Sequence, residues 1–257
     1  MLSEKIRFNG WQQNELVGDF YRGSSEIGIL FCHGLASSRW EFSDFPEKLA
    51  ERGYKVFAFD CSGHGESQGI KSLFTAQNHL VDTKNALDIL KDAGAQKIII
   101  LGHSLGAHAA LLGLKEKNVA AAILACPSRK SGDNLSFDKK IAVWLIGNFY
   151  RFFGDFIKRD IYLKLGGDQT SKINIRFLAY ALKINNMELA AKTTKPILFI
   201  AAKEDKDVPM KKSLSLYEKF NFPKKLLVLE NSGHEIFDGQ DKELLLDEID
   251  KFTKTIL

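Results

Sequence analysis

The chain has 257 residues, of which 45% are hydrophobic and 26% are charged, proportions that exclude a disordered, collagen-like or coiled-coil protein. Its 36 Lys and Arg residues stand against 32 Asp and Glu residues, and these charges are spread along the sequence. Because no basic stripe or tail stands out, the charge pattern gives no indication of a nucleic-acid partner.

The cysteines and the N-terminus indicate the cellular compartment. The chain has three cysteines, Cys32, Cys61 and Cys126, and each follows an apolar run. An odd number of cysteines in such positions favours buried thiols in a reducing compartment over disulfides. The N-terminal residues lack the basic and apolar regions of a signal peptide, and no apolar run reaches the roughly 18 residues of a membrane span. We therefore expect a soluble, cytoplasmic protein.

Strand and helix patterns alternate along most of the chain. Two antiparallel strands are predicted near residues 4–9 and 15–22. Further strands are predicted, in chain order, at IGILFCHG, YKVFAFDCSG, KIIILGHS, VAAAILAC, PILFIAAK and KLLVLE. Helices are predicted near residues 43–52, 75–93, 104–117, 210–220 and 239–256. Apolar strands without alternation are typical of parallel strands, so we predict an α/β fold with a mostly parallel central sheet flanked by helices.

The alternation is interrupted between residues 128 and 190, where SRKSGDNLSFDKK precedes the aromatic stretch IAVWLIGNFYRFFGDFI. This segment is too long for a simple connection in a compact domain. We predict that residues 128–190 form an inserted helical cap on a core made of residues 1–127 and 191–257.

The aromatic residues of the predicted cap have two interpretations. Trp144, Phe149 and Phe153 are candidates for substrate binding, but packing of the cap onto the core would explain the same residues. Basic residues flank them, so contact of the cap with a lipid surface is a further hypothesis.

One serine, Ser104, lies between two glycines in GHSLG, where a predicted strand gives way to a predicted helix. A G-x-S-x-G pattern at such a junction is typical of a sharp, strained turn that projects the serine hydroxyl above the sheet. The flanking Gly102 and Gly106 lack side chains and let the strand and the helix pack closely. We therefore interpret Ser104 as a candidate nucleophile.

Two backbone amides are predicted to face the Ser104 hydroxyl. The amide of Leu105 lies at the start of the helix, where N–H groups point towards a developing negative charge. The amide of Leu35, in the loop HGLASS after a predicted strand, can face the same site and complete an oxyanion hole. His33 competes with Leu35 for this role, although we expect it to brace the loop.

A serine hydroxyl becomes a good nucleophile only when a base takes its proton, and His234 is the candidate base. It follows the last predicted strand, at the sheet edge where open α/β folds place their chemistry. Four other histidines are more easily interpreted as structural: His64, His79, His103 and His108. An acid must orient the imidazole of the base, and the position after the preceding strand does not separate Glu204, Asp205 and Asp207.

The order and spacing of these motifs resemble the α/β-hydrolase superfamily over nearly the whole chain outside the cap. The resemblance is carried by HG at residues 33–34, DCSGHGES at 60–67, GHSLG at 102–106, EDKDVP at 204–209 and SGHEIF at 232–237. In that family the acid commonly stands in a D-x-x-V-P turn, which selects Asp205 over Asp207, although the glycine that often precedes this turn is alanine here. Similar motifs occur in carboxylesterases, cinnamoyl esterases and monoacylglycerol lipases.

The turn GHSLG corresponds to the nucleophile elbow of this superfamily, where dehalogenase and epoxide-hydrolase relatives carry aspartate. A serine at this position implies attack on a carbonyl through an acyl-enzyme. The resemblance therefore implies a serine hydrolase of small-molecule carboxylic esters. The implied site consists of Ser104, Asp205 and His234 with the backbone amides of Leu35 and Leu105.

Other functions would use the same residues. An acyl thioesterase needs the same acyl-enzyme, and a slow ligand receptor built on a hydrolase fold would retain the triad. A non-catalytic scaffold is disfavoured because every triad position has a suitable occupant. No metal-ligand cluster and no dinucleotide-binding glycine pattern is recognisable in the sequence, so we expect no metal and no cofactor.

Overall fold

The fold is built on one eight-stranded sheet, in a computed structural model that describes residues 3–70, 75–130, 141, 145, 149, 162–164, 172–174 and 184–256. The strands of this sheet, numbered along the chain, are β1 (Glu4–Asn9), β2 (Glu15–Tyr21), β3 (Ile27–Cys32), β4 (Lys55–Phe59), β5 (Lys97–His103), β6 (Val119–Ala125), β9 (Ile197–Ala202) and β10 (Lys224–Leu229). Two further strands, β7 (Tyr162–Lys164) and β8 (Lys172–Asn174), pair only with each other. The order in the large sheet is β1-β2-β4-β3-β5-β6-β9-β10.

The large sheet is mostly parallel. Strand β2 pairs antiparallel with β1 and with β4, and every other pairing in this sheet is parallel. All six residues of β3 and all six of β9 are buried, as expected for parallel strands covered on both faces. The predicted α/β class and sheet are therefore confirmed. The carboxyl ends of the parallel strands share one edge, and the candidate site lies in the loops at that edge.

Helices cover both faces of the sheet. Those with defined bounds are α1 (Phe45–Glu51), α2 (Ala76–Asp92), α3 (Gly106–Gly113), α4 (Asn186–Ala191), α5 (Met210–Tyr217) and α6 (Lys242–Lys254). Helices α2, α3 and α5 share an apolar cluster with Leu30 of β3, whereas α1 and α6 pack in a second cluster with Ile29 and Phe31. Successive residues of β3 point to opposite faces, so this strand contributes to both cores. In the part of the chain that the structure describes, none of the helices is long and apolar enough to cross a membrane.

Short elements depart from the sequence-based prediction. Two 3₁₀ turns, Trp11–Gln13 and Arg39–Phe42, and helix α4 were not predicted, and α3 ends at Gly113 instead of near residue 117. Such short segments have too few residues to show a helical period, so tertiary contacts decide their conformation.

The insertion between β6 and β9 contains both helical and strand residues. Ile141, Leu145 and Phe149 are helical, and the inserted helical cap over residues 128–190 stays a prediction. The antiparallel pair β7–β8 was not predicted; Leu163 lies opposite Ile173 in it. The side chain of Phe149 is exposed, and the other two aromatic candidates, Trp144 and Phe153, lie outside the described residues.

The cysteines are buried free thiols, as their positions after apolar runs predict. Burial raises the pKa of Cys32 to about 12. Burial also raises the pKa of Cys61 and of Cys126 well above the usual value. These thiols therefore stay protonated at neutral pH.

A buried guanidinium, that of Arg39, fastens the loop after β3 to the neighbouring strands. Its side chain is 2% exposed and pairs with Asp19 at 2.6 Å, with Asp60 and with Glu66. The carboxylate of Asp60 also accepts the backbone N–H groups of Arg39 at 2.7 Å and of Glu66 at 2.9 Å. The turn DCSGHGES and the loop after β3 are thus held by one network of charges.

Helix α3 approaches the sheet closely at two glycines. A methyl group on Gly106 would overlap the backbone carbonyl of Cys32, and one on Gly102 would overlap the backbone of Gly106. A backbone packed into the core cannot move aside as the end of a long side chain can. Only glycine therefore fits at these two positions, as the GHSLG motif predicts.

Replacing Arg39 with Met should destabilise the fold strongly, because Asp60 is fully buried and would keep an uncompensated charge. We expect the free energy of unfolding, measured by urea denaturation, to fall by ~3–5 kcal/mol. Arg22→Met, which breaks an exposed ion pair with Glu4, is the matched control and should cost about 1 kcal/mol or less. Equal losses of unfolding free energy in the two variants would show that the buried Arg39 network stabilises the fold no more than an exposed ion pair does.

Gly106→Ala should also destabilise the protein, by ~3 kcal/mol or more, because the added methyl group meets backbone. The control is Gly233→Ala, where the nearest atom to an added Cβ is the Glu204 carbonyl oxygen at 3.8 Å. Its unfolding free energy should stay within about 0.5 kcal/mol of the wild-type value. Wild-type stability of Gly106→Ala would show that α3 can move away from β3.

Candidate active site

Ser104 occupies a strained turn between β5 and α3. Its φ angle is +51°, in the left-handed region that residues with a side chain rarely adopt. The turn is held on both sides: the N–H of Ser104 donates to the carbonyl of Ala125 at 2.8 Å, and its own carbonyl accepts from Ala107 at 3.2 Å. The predicted strand-to-helix junction is therefore present, and Leu105 is the N-cap residue of α3.

The loop after β3 lies against this turn. A Cβ placed on Gly34 would be 3.5 Å from the Cβ of Ser104, so the backbone that leads into Leu35 passes beside the serine. Leu35 itself lies in a turn and is 36% exposed. The structure thus brings together the chain segments that carry both predicted oxyanion amides, those of Leu35 and Leu105.

The ring of His33 braces this loop. Its Nε2 accepts the backbone N–H of Cys61 at 3.1 Å, so the ring proton is on Nδ1, which donates to the carbonyl of Gly34 at 2.8 Å. The ring is buried and tied to the turn after β4, in agreement with the bracing role expected of it.

The side chains of Asp205 and His234 meet at the same edge of the sheet. His234 Nδ1 lies 2.8 Å from one oxygen of Asp205, and the other oxygen accepts the N–H groups of Asp207 at 2.9 Å and Val208 at 2.7 Å. The Asp205 side chain is 1% exposed and that of His234 is 12% exposed. Of the three acids that the sequence offered, Asp205 is the one that contacts the imidazole, and a ring that donates from Nδ1 keeps its lone pair on Nε2.

His234 is close to the elbow because its ring packs against that of His103, the residue before Ser104. The two ring centroids are 4.8 Å apart. His103 is buried, and its Nε2 lies 3.0 Å from the backbone carbonyl oxygen of His234. Phe237 packs edge-on against the same ring, at 5.5 Å. The His103 ring therefore connects the elbow to the loop that carries His234.

Glu41 and His103 are the residues at this site that sequence reasoning missed. Glu41 Oε1 accepts the N–H of Gly34 at 2.7 Å and lies 3.2 Å from His103 Nδ1. His103 was interpreted as structural, and nothing in the sequence around Glu41 indicates a contact with a residue 62 positions away. The position of His103 directly before the candidate nucleophile was the one available signal.

The rings of the other histidines interpreted as structural are buried: His64, His79 and His108. His108 hydrogen-bonds through Nδ1 to Asn186 at 2.8 Å, and His64 packs against His33. Burial lowers the pKa of His79 well below its usual value and lowers that of His108, so both rings are neutral at neutral pH.

One group of side chains in the described part of the chain combines metal-binding atom types at short range. Atoms of His103, Cys126 and His234 lie within 4.8 Å of one another. Both nitrogens of His103 and Nδ1 of His234 already face protein oxygens. A metal also requires the thiolate, and burial raises the pKa of Cys126 well above its usual value. We therefore assign this group no metal.

Solved structures with the same fold cover nearly the whole chain. DcsB, in complex with its substrate analogue, superposes with a TM-score of 0.83 at 16% identity, covering 99% of this chain and all of DcsB. Est1E from Butyrivibrio proteoclasticus with bound ferulic acid superposes with a TM-score of 0.74 at 20% identity, covering 97% of this chain and 98% of Est1E. The α/β-hydrolase fold is therefore established.

Sequence comparison places the chain in a family. YfhR of Salmonella typhimurium, an uncharacterized protein, is 25% identical over 239 residues, which cover 89% of this chain and 72% of YfhR. The chain spans 64 to 72% of the length of the first bacterial relatives that it matches. Residues 24–156, just over half of the chain, match the family described as serine aminopeptidase, S33. The chain therefore belongs to this family of the α/β-hydrolase superfamily.

Proposed function

We propose that the protein hydrolyses carboxylic esters of small molecules through an acyl-enzyme, with Ser104 as the nucleophile. The observation that carries this proposal is the contact of His234 Nδ1 with the buried carboxylate of Asp205 beside the strained elbow of Ser104. A serine, an imidazole and an orienting acid in this order along the chain are the parts that acyl transfer requires.

The first half-reaction forms the acyl-enzyme. Ser104 Oγ attacks the ester carbonyl while Nε2 of His234 takes the hydroxyl proton; Nε2 is free to do so because Nδ1 keeps its proton and donates a hydrogen bond to Asp205. The negative charge moves to the carbonyl oxygen, where the amides of Leu35 and Leu105 stabilise it. The carbon–oxygen bond then breaks, and His234 returns the proton to the leaving alkoxide.

The second half-reaction releases the acid. His234 takes a proton from a water molecule, the water oxygen attacks the acyl carbon, and the proton returns to Ser104 as the acid leaves. Asp205 keeps the imidazole in the required tautomer through both steps, and the N–H groups of Asp207 and Val208 hold that carboxylate.

The proposed acyl donor is a carboxylic ester. The family description names an aminopeptidase, whereas Est1E holds ferulic acid, and thioesters pass through the same acyl-enzyme. We propose esters because the motifs resemble those of carboxylesterases and because an alcohol leaves more readily than an amine. Trp144, Phe149 and Phe153 are proposed to contact the acyl group.

Ser104→Ala should abolish turnover while substrate binding remains, with kcat lower by about 10⁶-fold. Pre-steady-state assays with p-nitrophenyl esters from acetate to decanoate would check this, and the wild type should show a burst followed by repeated turnover. Unchanged turnover in the variant would contradict the assignment of Ser104 as the nucleophile, and a burst without turnover in the wild type would favour the slow receptor.

Amino-acid p-nitroanilides and acyl thioesters, assayed in parallel, test the peptidase and thioesterase alternatives.

Asp205→Asn should lower kcat by roughly 10⁴-fold, because the amide no longer holds the imidazole in the required tautomer. Asp207→Asn is the matched control, since the contact of Asp207 with Asp205 is through its backbone N–H. We expect this control to retain kcat within a few-fold of the wild type. The opposite result, with only the Asp207 variant impaired, would assign the acid to Asp207.

A further inference from the structure

We infer that Glu41 and His103 form a second, buried acid–histidine pair in which the His103 ring is doubly protonated. This ring positions two loops: residues 33–38, which we call the oxyanion loop because it carries the amide of Leu35, and the loop of His234. The effect of this pair on turnover rests on the function proposed above, whereas the protonation state of His103 is independent of any activity. His103 is in this view a positioning residue, and the chemistry remains with Ser104 and His234.

The pair joins three segments of the site. Glu41 lies in the 3₁₀ turn after the oxyanion loop, and His103 is the last residue of β5; their side chains are 5% and 2% exposed. Oε1 of Glu41 accepts the backbone N–H of Gly34 and also faces His103 Nδ1. The opposite nitrogen of the His103 ring faces the backbone carbonyl of His234. One ring therefore spans from the segment that precedes Leu35 to the loop of the base.

The hydrogen-bond partners define the protonation state. A backbone carbonyl and a carboxylate accept hydrogen bonds and do not donate them, whereas neutral imidazole has one N–H and one lone pair. In the neutral form, one of the two contacts of His103 would set lone pairs against each other. Only the imidazolium ion donates to both Glu41 and the carbonyl of His234.

Moving the proton to Glu41 would also satisfy both contacts, but it is less favourable. An ordinary glutamate is a weaker base than imidazole by about two pKa units, and the N–H of Gly34 further favours the charged carboxylate. The proton therefore belongs on His103, and the pair is a carboxylate with an imidazolium.

The surroundings favour the charged ring. Burial by itself lowers the pKa of His103, but the hydrogen bond and charge of Glu41, together with the charge of Glu235 and the backbone carbonyl of His234, raise that pKa above its usual value. Burial by itself raises the pKa of Glu41, but the hydrogen bond and charge of His103, together with other neighbours, lower that pKa overall. Among the described residues, the other titratable groups that face the pair are Cys126, His234 and Glu235 near His103, and His33 near Glu41; Asp205 contacts His234.

The pair operates within a pH window. Because the pKa of His103 is raised, its stabilisation is complete below the pKa of an unfolded histidine and is lost as the pH rises through the raised value. Because the pKa of Glu41 is lowered, its stabilisation is present above the pKa of an unfolded glutamate and is lost as the pH falls through the lowered value. The pair is therefore intact between these two limits, and a pH above the raised pKa of His103 removes the second ring proton and with it one of the two hydrogen bonds of the ring.

NMR of the ring nitrogens tests the protonation state directly. The sample is Ser104→Ala protein labelled with ¹⁵N-histidine at about pH 8, where a free imidazole with a pKa of about 6.5 is almost entirely neutral. We expect His103, assigned by the signals lost in a Ser104→Ala/His103→Gln variant, to carry protons on both nitrogens. A singly protonated His103 ring in the Ser104→Ala protein overturns the inference.

Two variants show which carboxylate is responsible. Glu41→Gln, in the same background, should return His103 to the neutral form at that pH. Glu235→Gln removes a nearby exposed charge but no hydrogen bond to the ring, so both protons should remain. Loss of the second proton in Glu235→Gln but not in Glu41→Gln would contradict the pair.

Turnover tests the positioning role. In the active enzyme, Glu41→Gln keeps an oxygen for the N–H of Gly34 but loses the charge, and we expect kcat to fall by roughly 10- to 100-fold with KM little changed. The alkaline limb of the kcat profile should move to lower pH, and Glu235→Gln should keep the wild-type profile. A wild-type kcat and pH profile in Glu41→Gln would contradict the positioning role.

Failure of the wild type on every ester would overturn the proposed function, and the NMR result would then decide the inference about the protonation of His103.

Discussion

Helix α3 meets strand β3 where no side chain fits, and the geometry of the whole site depends on that close approach. Gly106 lies against the carbonyl of Cys32, and Gly102 lies against the backbone of Gly106. With α3 held this close to β3 and to the end of β5, Ser104, which lies between β5 and α3, adopts a left-handed conformation that costs about 1–3 kcal/mol. The buried strands on either side of β5 supply the packing that maintains this strain.

Buried carboxylates organise the loops around the elbow. The side chains of Asp60, Asp205 and Glu41 are buried, and each accepts at least one backbone N–H group as well as a cationic or imidazole partner. A carboxylate away from water is stable only when its oxygens are hydrogen-bonded, so each one fixes the loop segments that supply its partners. Irregular segments at the carboxyl edge of the sheet thereby gain a defined position without belonging to a helix or strand.

The stem of the insertion is tied to the same helix. Its two ends meet in a bridge between Lys130 and Asn185, and the side chain of Asn186 donates to the carbonyl of Ser128 at 2.7 Å. The amide oxygen of Asn186 lies 2.8 Å from His108 Nδ1, in helix α3. The segment proposed to contact the acyl group is therefore anchored on the helix whose first turn follows Ser104. Helix α3 therefore positions both the stem of the insertion and the turn that carries Ser104.

The sequence by itself determined the strands of the large sheet, most of the helices and the turn at Ser104, because these depend on local periodicity and on the positions of glycines. It also predicted His234 from its place after the last strand and, by resemblance, Asp205 from the D-x-x-V-P turn. Only the tertiary structure decided which acid contacts the imidazole and that Glu41 meets His103. Those contacts join residues far apart in the chain, and their hydrogen bonds exist only once parallel strands bring their carboxyl ends to one edge.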